Sequence, residues 1–381
     1  MQYKAVKIHV YDKNLMKSVI NEVSTYVKEN MNKSNFFLIQ RGWVYGPHLK
    51  IICGTQNENN LPSVINDVKE FLEVKKIEWS NRNHIKVDYL NHEKVLEKIA
   101  LLERYKGDYL PLEPDLKVME DNYEINHTEM KEDIIYLKEE QIKSEFIVTS
   151  SNYYYNLNSD NKTIFLLKLF TILGDFTSSI NQNVEAAITE SYLSFKSHVE
   201  GFKGQLNYHS ESMKKRVLDI LQNHNSVEED FINNYFKKFL NASREKFSQY
   251  DENDKDILIY FQDLLFELDD MYIKALDNNK INFSNEHSLT NFLEESTDHI
   301  SDFHKDIMEL VDLEFYNSKE FLLGRLLTNW FYTLLPLFSV SPLQKNKLCN
   351  LLCLGLEKAE GKTYIDFIHK FNNTIEGGIR K

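Results

Sequence analysis

Cationic and aromatic side chains gather at one predicted hairpin near the start of the chain. Two apolar, β-prone runs, 35–41 and 48–53, flank a short segment containing Gly42, Gly46 and Pro47, which predicts two strands joined by a tight loop. The side chains at this junction are Arg41, Trp43, Tyr45, His48 and Lys50. Such groups suit the binding of an anionic or polar ligand. The alternative interpretation is an ordinary hairpin whose turn carries these residues without binding a ligand.

The segments around the hairpin predict the order strand, helix, strand, strand, helix, strand. Residues 5–10 alternate like a strand, and residues 15–29 carry an apolar side chain at every fourth position, which is typical of an amphipathic helix. A second helix is predicted through 64–72 and a last strand at 85–89. This order is that of a ferredoxin-like split βαβ unit.

The rest of the chain is predominantly helical in its pattern. A β-prone stretch at 145–149 is the last strand-like segment, and after residue 161 nearly every segment has helical spacing. We predict an α+β protein in which an N-terminal ferredoxin-like split βαβ unit packs with a mainly helical C-terminal half. The αβ part is placed at residues 1–160 and the helical part at 161–381, together forming one continuous enzyme domain.

Composition and charge exclude several classes of protein. The 381-residue chain has a formal charge of −13, which argues against direct binding of nucleic acid. Residues 1–90 nevertheless carry a net charge of +4, so this part is the better place for an acidic group or a peptide. No apolar signal core and no run of about 20 apolar residues is present. We therefore expect a cytoplasmic protein with no membrane partner.

Cysteine and histidine patterns give no metal site. Cys53, Cys349 and Cys353 are too few for a disulfide framework, and the last two share one helical face, which predicts buried thiols in a reducing compartment. His299 and His304 lie among aspartates, but such acidic helical faces are usually solvent-exposed. Nucleotide-binding, zinc-protease and serine-hydrolase motifs are absent. We expect no metal and no other cofactor.

Two stretches resemble the C-terminal elimination domain of lantibiotic dehydratases and the related stand-alone thiopeptide-type bacteriocin biosynthesis proteins. The Pro-His-x-Arg-x-Arg strand of that family is matched by residues 47–52, where Lys50 and Ile52 replace the two arginines. Its Glu-Arg-Tyr-Gly-Gly motif resembles residues 103–107. The resemblance implies that Arg104 is catalytic and faces the glutamyl group in elimination enzymes. The substrate-binding residues that we predict are Arg41, Trp43, Tyr45, His48, Lys50 and Tyr105.

A third motif of the family, His-Met-x-x-Asn-Arg-Leu-x-Gly-x-x-Pro, has lost its histidine here. A gapless match on Ser341 and Pro342 places Phe331 at the histidine position. Three residues near that position are predicted to supply catalytic hydrogen-bonding groups: Arg325, Trp330 and Tyr332. The alternative is that this apolar segment is simply core.

The missing histidine separates two reactions that the resemblance implies. Glutamate elimination needs a base for the α-proton and cations for the departing carboxylate. Joining two dehydroalanines by a formal aza-cycloaddition, which builds a pyridine ring and releases the leader peptide, depends more on positioning and on hydrogen-bond donors. We therefore predict a pyridine synthase-like lyase or cyclase that matures a ribosomally made thiopeptide or lantibiotic and binds the leader and core of its precursor.

Two alternatives remain open. One is the glutamate-eliminating component of a split dehydratase, partnered by a glutamylating subunit and using another base such as His48. The other is a non-catalytic accessory subunit that binds the leader peptide through the basic αβ part.

Overall fold

The computed structural model describes residues 3–31, 35–82, 86–102, 105–123, 130–179, 184–206, 210–235, 240, 252–281, 301–310 and 318–379. The chain divides into two compact units. Unit 1 comprises Met1–His127, Tyr136–Asn156 and Pro336–Ser339. Unit 2 comprises Thr128–Ile135, Leu157–Leu335 and Val340–Lys381.

Unit 1 is built on an antiparallel four-stranded sheet. Its strands are β1 (Tyr3–His9), β2 (Asn35–Gly42), β3 (His48–Thr55) and β4 (Val118–Asn122), in the order β2-β3-β1-β4. The first three helices of the unit are α1 (Lys13–Asn30), α2 (Leu61–Arg82) and α3 (Tyr89–Leu102). Helix α4 (Asp133–Asn156) joins the unit from Tyr136 onward. The strand order confirms the predicted α+β class and the ferredoxin-like topology.

One face of this sheet carries an apolar core of unit 1, and a separate apolar cluster of Ala5, Leu38 and Ile52 lies on the other face. On the first face, Val6 and Ile8 of β1 and Leu49 and Ile51 of β3 are fully buried. Helix α1 begins at the side chain of Asp12, which accepts hydrogen bonds from two backbone N–H groups, and it buries the predicted apolar stripe. Each fully buried aliphatic side chain contributes roughly 1.5–3 kcal/mol. Because residues alternate along a strand, the neighbours of these side chains lie on the opposite face.

Two of the strand predictions are wrong. Residues 86–88 lie outside any strand and Tyr89 begins α3, where the Asp88 carboxylate accepts a hydrogen bond from the Asn91 N–H. The fourth strand of the sheet is instead β4. The β-prone stretch 145–149 lies inside α4, because Ile142, Phe146 and their neighbours one turn apart form a buried helical face. Packing along that face overrides the local strand propensity.

Unit 2 is helical. Its described helices are α5 (Ser159–Ser179), α6 (Val184–Gln205), α7 (Glu211–Gln222), α8 (Ser226–Asn234), α9 (Glu252–Asp277), α10 (Asp302–Leu310), α11 (Lys319–Leu334), α12 (Pro342–Glu360) and α13 (Tyr364–Ile379). Ser341 caps α12 in a reciprocal pair of hydrogen bonds with Gln344, and Pro342 takes the first helical position. Cys349 and Cys353 on α12 are buried free thiols, as predicted. Within the described residues, no helix is long and apolar enough to cross a membrane.

Candidate functional site

The face of the sheet opposite the apolar core carries a row of charged and imidazole side chains. Lys7 and His9 of β1 stand directly opposite Lys50 and His48 of β3. Asp121 of β4 reaches the same row. These five residues are called the polar face. The strand register places them together, because side chains opposite each other on one face of an antiparallel pair are near neighbours.

Two lysines of the polar face share one carboxylate. The Asp121 Oδ2 lies 2.7 Å from the Lys7 Nζ and 3.3 Å from the Lys50 Nζ. Although burial raises the pKa of Asp121, the hydrogen bonds and charges of the two lysines hold it below its ordinary value. Burial lowers the pKa of Lys50, and the Lys7 charge lowers it further against the opposing effect of Asp121. The three groups together carry one positive charge in excess, which suits a carboxylate or a polarised carbonyl oxygen.

The two histidines of the polar face are neutral at pH 7. Burial lowers the pKa of His48 to about 3 and that of His9 to about 4. Their ring centroids lie 5.1 Å apart. The His48 Nδ1 donates to the Gly46 carbonyl at 3.0 Å, which leaves Nε2 as the acceptor. Its low pKa makes His48 a weak base.

Gly42 and Gly46 leave space for neighbouring rings because they have no side chain. A Cβ added at Gly42 would lie 2.3 Å from the His48 Nε2, so the imidazole covers this glycine. Gly46 has a backbone φ of +114°, which residues with a side chain rarely adopt. A Cβ at this position would lie 2.3 Å from the Tyr11 hydroxyl oxygen. The position of the His48 ring therefore depends on Gly42, and that of the Tyr11 ring depends on Gly46.

Side chains of helix α4 accept hydrogen bonds from the edge strand β2. The backbone N–H of Ile39 donates to the Ser144 hydroxyl at 2.9 Å, and the Gln40 side chain donates to the Glu140 carboxylate at 2.7 Å. Glu140 also forms a buried ion pair with Lys143. Because these two charges cancel, the excess positive charge of this side of the sheet remains with Lys7 and Lys50.

Trp43 of the hairpin loop packs against two tyrosines from a later loop of the chain. The Trp43 ring lies 5.2 Å from the Tyr105 ring and 6.2 Å from the Tyr109 ring, between centroids. Tyr45 has φ of 62° and fixes the loop through its backbone, which donates to the Tyr109 carbonyl and accepts from the Glu113 N–H. The Tyr105 side chain remains exposed. This cluster presents aromatic surface to solvent.

Arg41 has a partner within unit 1. Its Nη1 donates to the Pro336 carbonyl at 2.9 Å, and burial lowers its pKa. Tyr155 holds the same segment by donating to the Leu337 carbonyl. Arg41 thus fixes a backbone segment and does not lie in the row of the polar face.

The remaining predicted residues are distributed as follows. Arg104 lies outside the described residues. In unit 2, Arg325 is exposed, whereas Trp330 is buried and stacks on Phe261 with ring centroids 6.1 Å apart. Phe331, at the position of the missing histidine, is completely buried. It packs edge-on against Phe170 with ring centroids 4.8 Å apart.

Tyr332 lies beside a second group of polar residues in unit 2. Its hydroxyl is 3.6 Å from the Cys349 Sγ, and burial raises its pKa well above the ordinary value. Lys345 and His198 contact its ring. Among the described residues, no group of three or more His, Cys, Asp or Glu side chains suits a metal ion.

Sequence reasoning missed Lys7, His9 and Asp121. The alternation of Lys7 and His9 in β1 mirrors that of His48 and Lys50 in β3, so pairing the two strands in register would have indicated the first two. Asp121 carried no such signal, because β4 was predicted more than 30 residues too early.

The shared carboxylate gives a stability prediction. Asp121→Asn leaves two partly buried ammonium groups without their counter-charge, so we expect the free energy of unfolding to fall by about 1–2 kcal/mol. Glu120→Gln is the control, because its Lys69 partner is more exposed and the pair should contribute under about 0.5 kcal/mol. Urea unfolding measures both variants. Equal losses would show that the shared carboxylate has no special role.

The solved structures that share this fold include the following two proteins. The pyridine synthase TbtD from thiomuracin biosynthesis matches with a TM-score of 0.63 at 13% sequence identity, over 95% of this chain and 99% of TbtD. TsrL matches with a TM-score of 0.60 at 12% identity, over 97% of this chain and 98% of TsrL. Neither a protein-family model nor a curated protein matches the sequence. The chain therefore shares the fold of TbtD and TsrL over nearly its whole length.

Proposed function

We propose that this protein is a maturation enzyme for a ribosomally made peptide of the thiopeptide type. In this proposal it joins two dehydroalanines of a precursor into a pyridine ring and releases the leader peptide. The observation that carries the proposal is the shared fold with a pyridine synthase over 95% of this chain and 99% of that one. Fold alone does not fix a reaction, so the chemistry must be supported by the residues.

The polar face supplies groups that such a cyclisation needs. One peptide amide must react in its iminol form, so positive charge at the amide oxygen favours the reaction. Lys50 is the proposed donor to that oxygen, and Lys7 and Asp121 hold it in place. The exposed aromatic surface at Tyr105 offers a contact for the core peptide.

A second function is favoured by the same excess positive charge. Two lysines that share one carboxylate can receive a departing glutamate carboxylate, as glutamate elimination requires. His48 would then have to remove an α-proton, for which a pKa of about 3 is poorly suited. We therefore place cyclisation first and elimination second.

Mass spectrometry of the peptide products tests the proposal. The purified protein is incubated with a leader-bearing precursor that contains two dehydroalanines and, separately, with a glutamylated precursor. We expect a cyclised core and a free leader from the first and no change in the second. Loss of glutamate alone would make the protein an elimination enzyme. Leader binding without any reaction would leave the accessory role and reject both enzyme functions.

Two matched lysine variants test the role of the polar face. Lys50→Met should lower kcat/KM by about tenfold or more, which corresponds to loss of one charge-assisted hydrogen bond in the transition state. Lys69→Met is the control, because Lys69 also pairs with a β4 carboxylate but lies at an exposed position beside the sheet. Equal activities of the two variants would remove Lys50 from the mechanism.

A further inference from the structure

Unit 2 contains a cavity of about 400 Å³ that is partly open to solvent. This volume lies in the range of pockets that bind small molecules. Helix α6, the residues around the start of α10 and the start of α13 supply its lining, which consists of Lys196, Glu200, Ser301, Asp302, Phe303 and Tyr364. The lining combines one ammonium group, two carboxylates and two aromatic rings in one cavity.

Hydrogen bonds within unit 2 fix the walls of this cavity. The Tyr364 hydroxyl donates to the Asp306 Oδ2 at 2.9 Å, and its ring lies edge-on to Phe303 with ring centroids 5.8 Å apart. His304 ties α10 to α6, because its Nε2 lies 3.0 Å from the Ser197 Oγ. A site whose walls are held in this way needs little ordering when a ligand binds.

The Lys196 ammonium group has hydrogen-bonding capacity left for a ligand. Among the described residues, its carboxylate contacts are both long, with the Nζ 3.4 Å from the Glu357 Oε1 and 3.8 Å from the Glu200 Oε1. The Glu357 Oε1 also accepts a shorter hydrogen bond, of 2.6 Å, from the Tyr192 hydroxyl. An ammonium group has three N–H donors, so Lys196 can donate to a carboxylate in the cavity.

Glu200 has an oxygen available for a ligand in the same way. The closest approach of each neighbouring lysine is to its Oε1, which lies 2.9 Å from the Lys203 Nζ and 3.8 Å from the Lys196 Nζ. The Oε2 atom can therefore accept a hydrogen bond from an ammonium group. Lys196 and Glu200 are one helical turn apart on α6, so they present opposite charges side by side on one wall.

This arrangement of charges disfavours a ligand with a single charge. An anion beside Lys196 would also meet the Glu200 and Glu357 carboxylates, and a cation beside Glu200 would meet the Lys196 ammonium group. A zwitterion avoids both conflicts, because its carboxylate pairs with Lys196 while its ammonium group pairs with Glu200.

We propose that the cavity binds a free α-amino acid with an aromatic or large apolar side chain. The carboxylate of the ligand accepts hydrogen bonds from Lys196, and its ammonium group donates to Glu200. Its side chain packs on the rings of Phe303 and Tyr364. The site lies in unit 2, and this binding is independent of the cyclisation proposed for the polar face of unit 1.

Isothermal titration calorimetry of the intact protein with three small molecules tests the ligand class. L-Phenylalanine carries both charged groups, phenethylamine carries only the ammonium group and 3-phenylpropionate carries only the carboxylate. Loss of a charge-assisted hydrogen bond lowers affinity about tenfold or more, so we expect L-phenylalanine to bind at least about tenfold tighter than either analogue. A smaller advantage over either analogue, or no saturable binding of L-phenylalanine up to about 10 mM, would overturn the proposal.

Matched lysine variants locate the bound amino acid. Lys196→Met should weaken L-phenylalanine binding about tenfold or more and leave phenethylamine binding no weaker, because only the partner of the carboxylate is lost. Lys203→Met is the control, because Lys203 lies on the same helix and pairs with Glu200 but does not line the cavity. Equal affinities of the two variants for L-phenylalanine would place the ligand outside this cavity. The comparison of the three molecules on the unaltered protein does not depend on how the variants fold.

Discussion

Replacing Gly46 by alanine is expected to lower the local stability of unit 1 by about 3 kcal/mol. The backbone at this position has φ of +114°, a conformation that costs roughly 1–3 kcal/mol for a residue with a side chain. The new Cβ would also displace the Tyr11 ring, whose hydroxyl donates to the Glu113 carbonyl at 2.6 Å. Loss of that hydrogen bond adds about 1 kcal/mol. Hydrogen exchange of peptides from β1 and β3 measures the effect.

Gly361→Ala is the matched control for this substitution. Gly361 also has a positive φ, of 64°, where it ends α12, but a Cβ there would meet nothing within 4 Å. Only the backbone preference is lost, so the expected cost is about 1 kcal/mol. If the two variants lose the same free energy, the contact with Tyr11 does not matter and the strain alone explains both.

Acid is expected to destabilise unit 1 well above the range in which carboxylates titrate. In the unfolded chain His9 and His48 have pKa values near 6.5, whereas burial lowers them to about 4 and about 3 in the folded protein. Below pH 6.5 the unfolded chain therefore binds protons that the folded protein does not. Their contribution to stability is complete above pH 6.5 and is lost as pH falls toward 4 for His9 and toward 3 for His48. At pH 5 the expected loss is about 2 kcal/mol for each histidine.

A His9→Leu variant measures the share of this pH dependence that comes from His9. Among the residues that the structure describes, neither ring nitrogen of His9 has a hydrogen-bond partner, and the side chain is 1% exposed. Replacing an unsatisfied polar group with an apolar one should be neutral or stabilising at pH 7. The same variant should lose about 2 kcal/mol less than the wild type between pH 7 and pH 5. Local hydrogen exchange of β1 at both values is the measurement, and identical losses would contradict the argument.

The sequence was informative where local pattern and tertiary packing agree. The apolar stripe of α1 and the hairpin of β2 and β3 were predicted because each depends on residues close in sequence. The stretch 145–149 failed because a buried helical face overrode its strand propensity. The last strand failed because the pattern gave no sign of the long excursion through α3 that precedes β4.

The candidate site was predicted only in part for a related reason. His48 and Lys50 lie in the hairpin and carried a local signal, whereas their partners Lys7 and His9 become neighbours only through strand pairing. Register is a tertiary property, since slipping a strand by one residue would send these side chains to the other face. The roles predicted for Arg104, Arg325, Trp330 and Tyr332 stay predictions.

The segment Pro336–Ser339 has a consequence for how unit 1 is made. Although it is encoded near the end of the chain, it belongs to unit 1. Phe338 fills a gap between Phe146 and Tyr154, with ring centroids 6.0 and 4.7 Å away. On the ribosome, unit 1 therefore has to wait for most of the polypeptide before its last aromatic contact can form. Fragments that stop at Asn156 would leave that gap open, so expression of the N-terminal part alone should yield a poorly packed product.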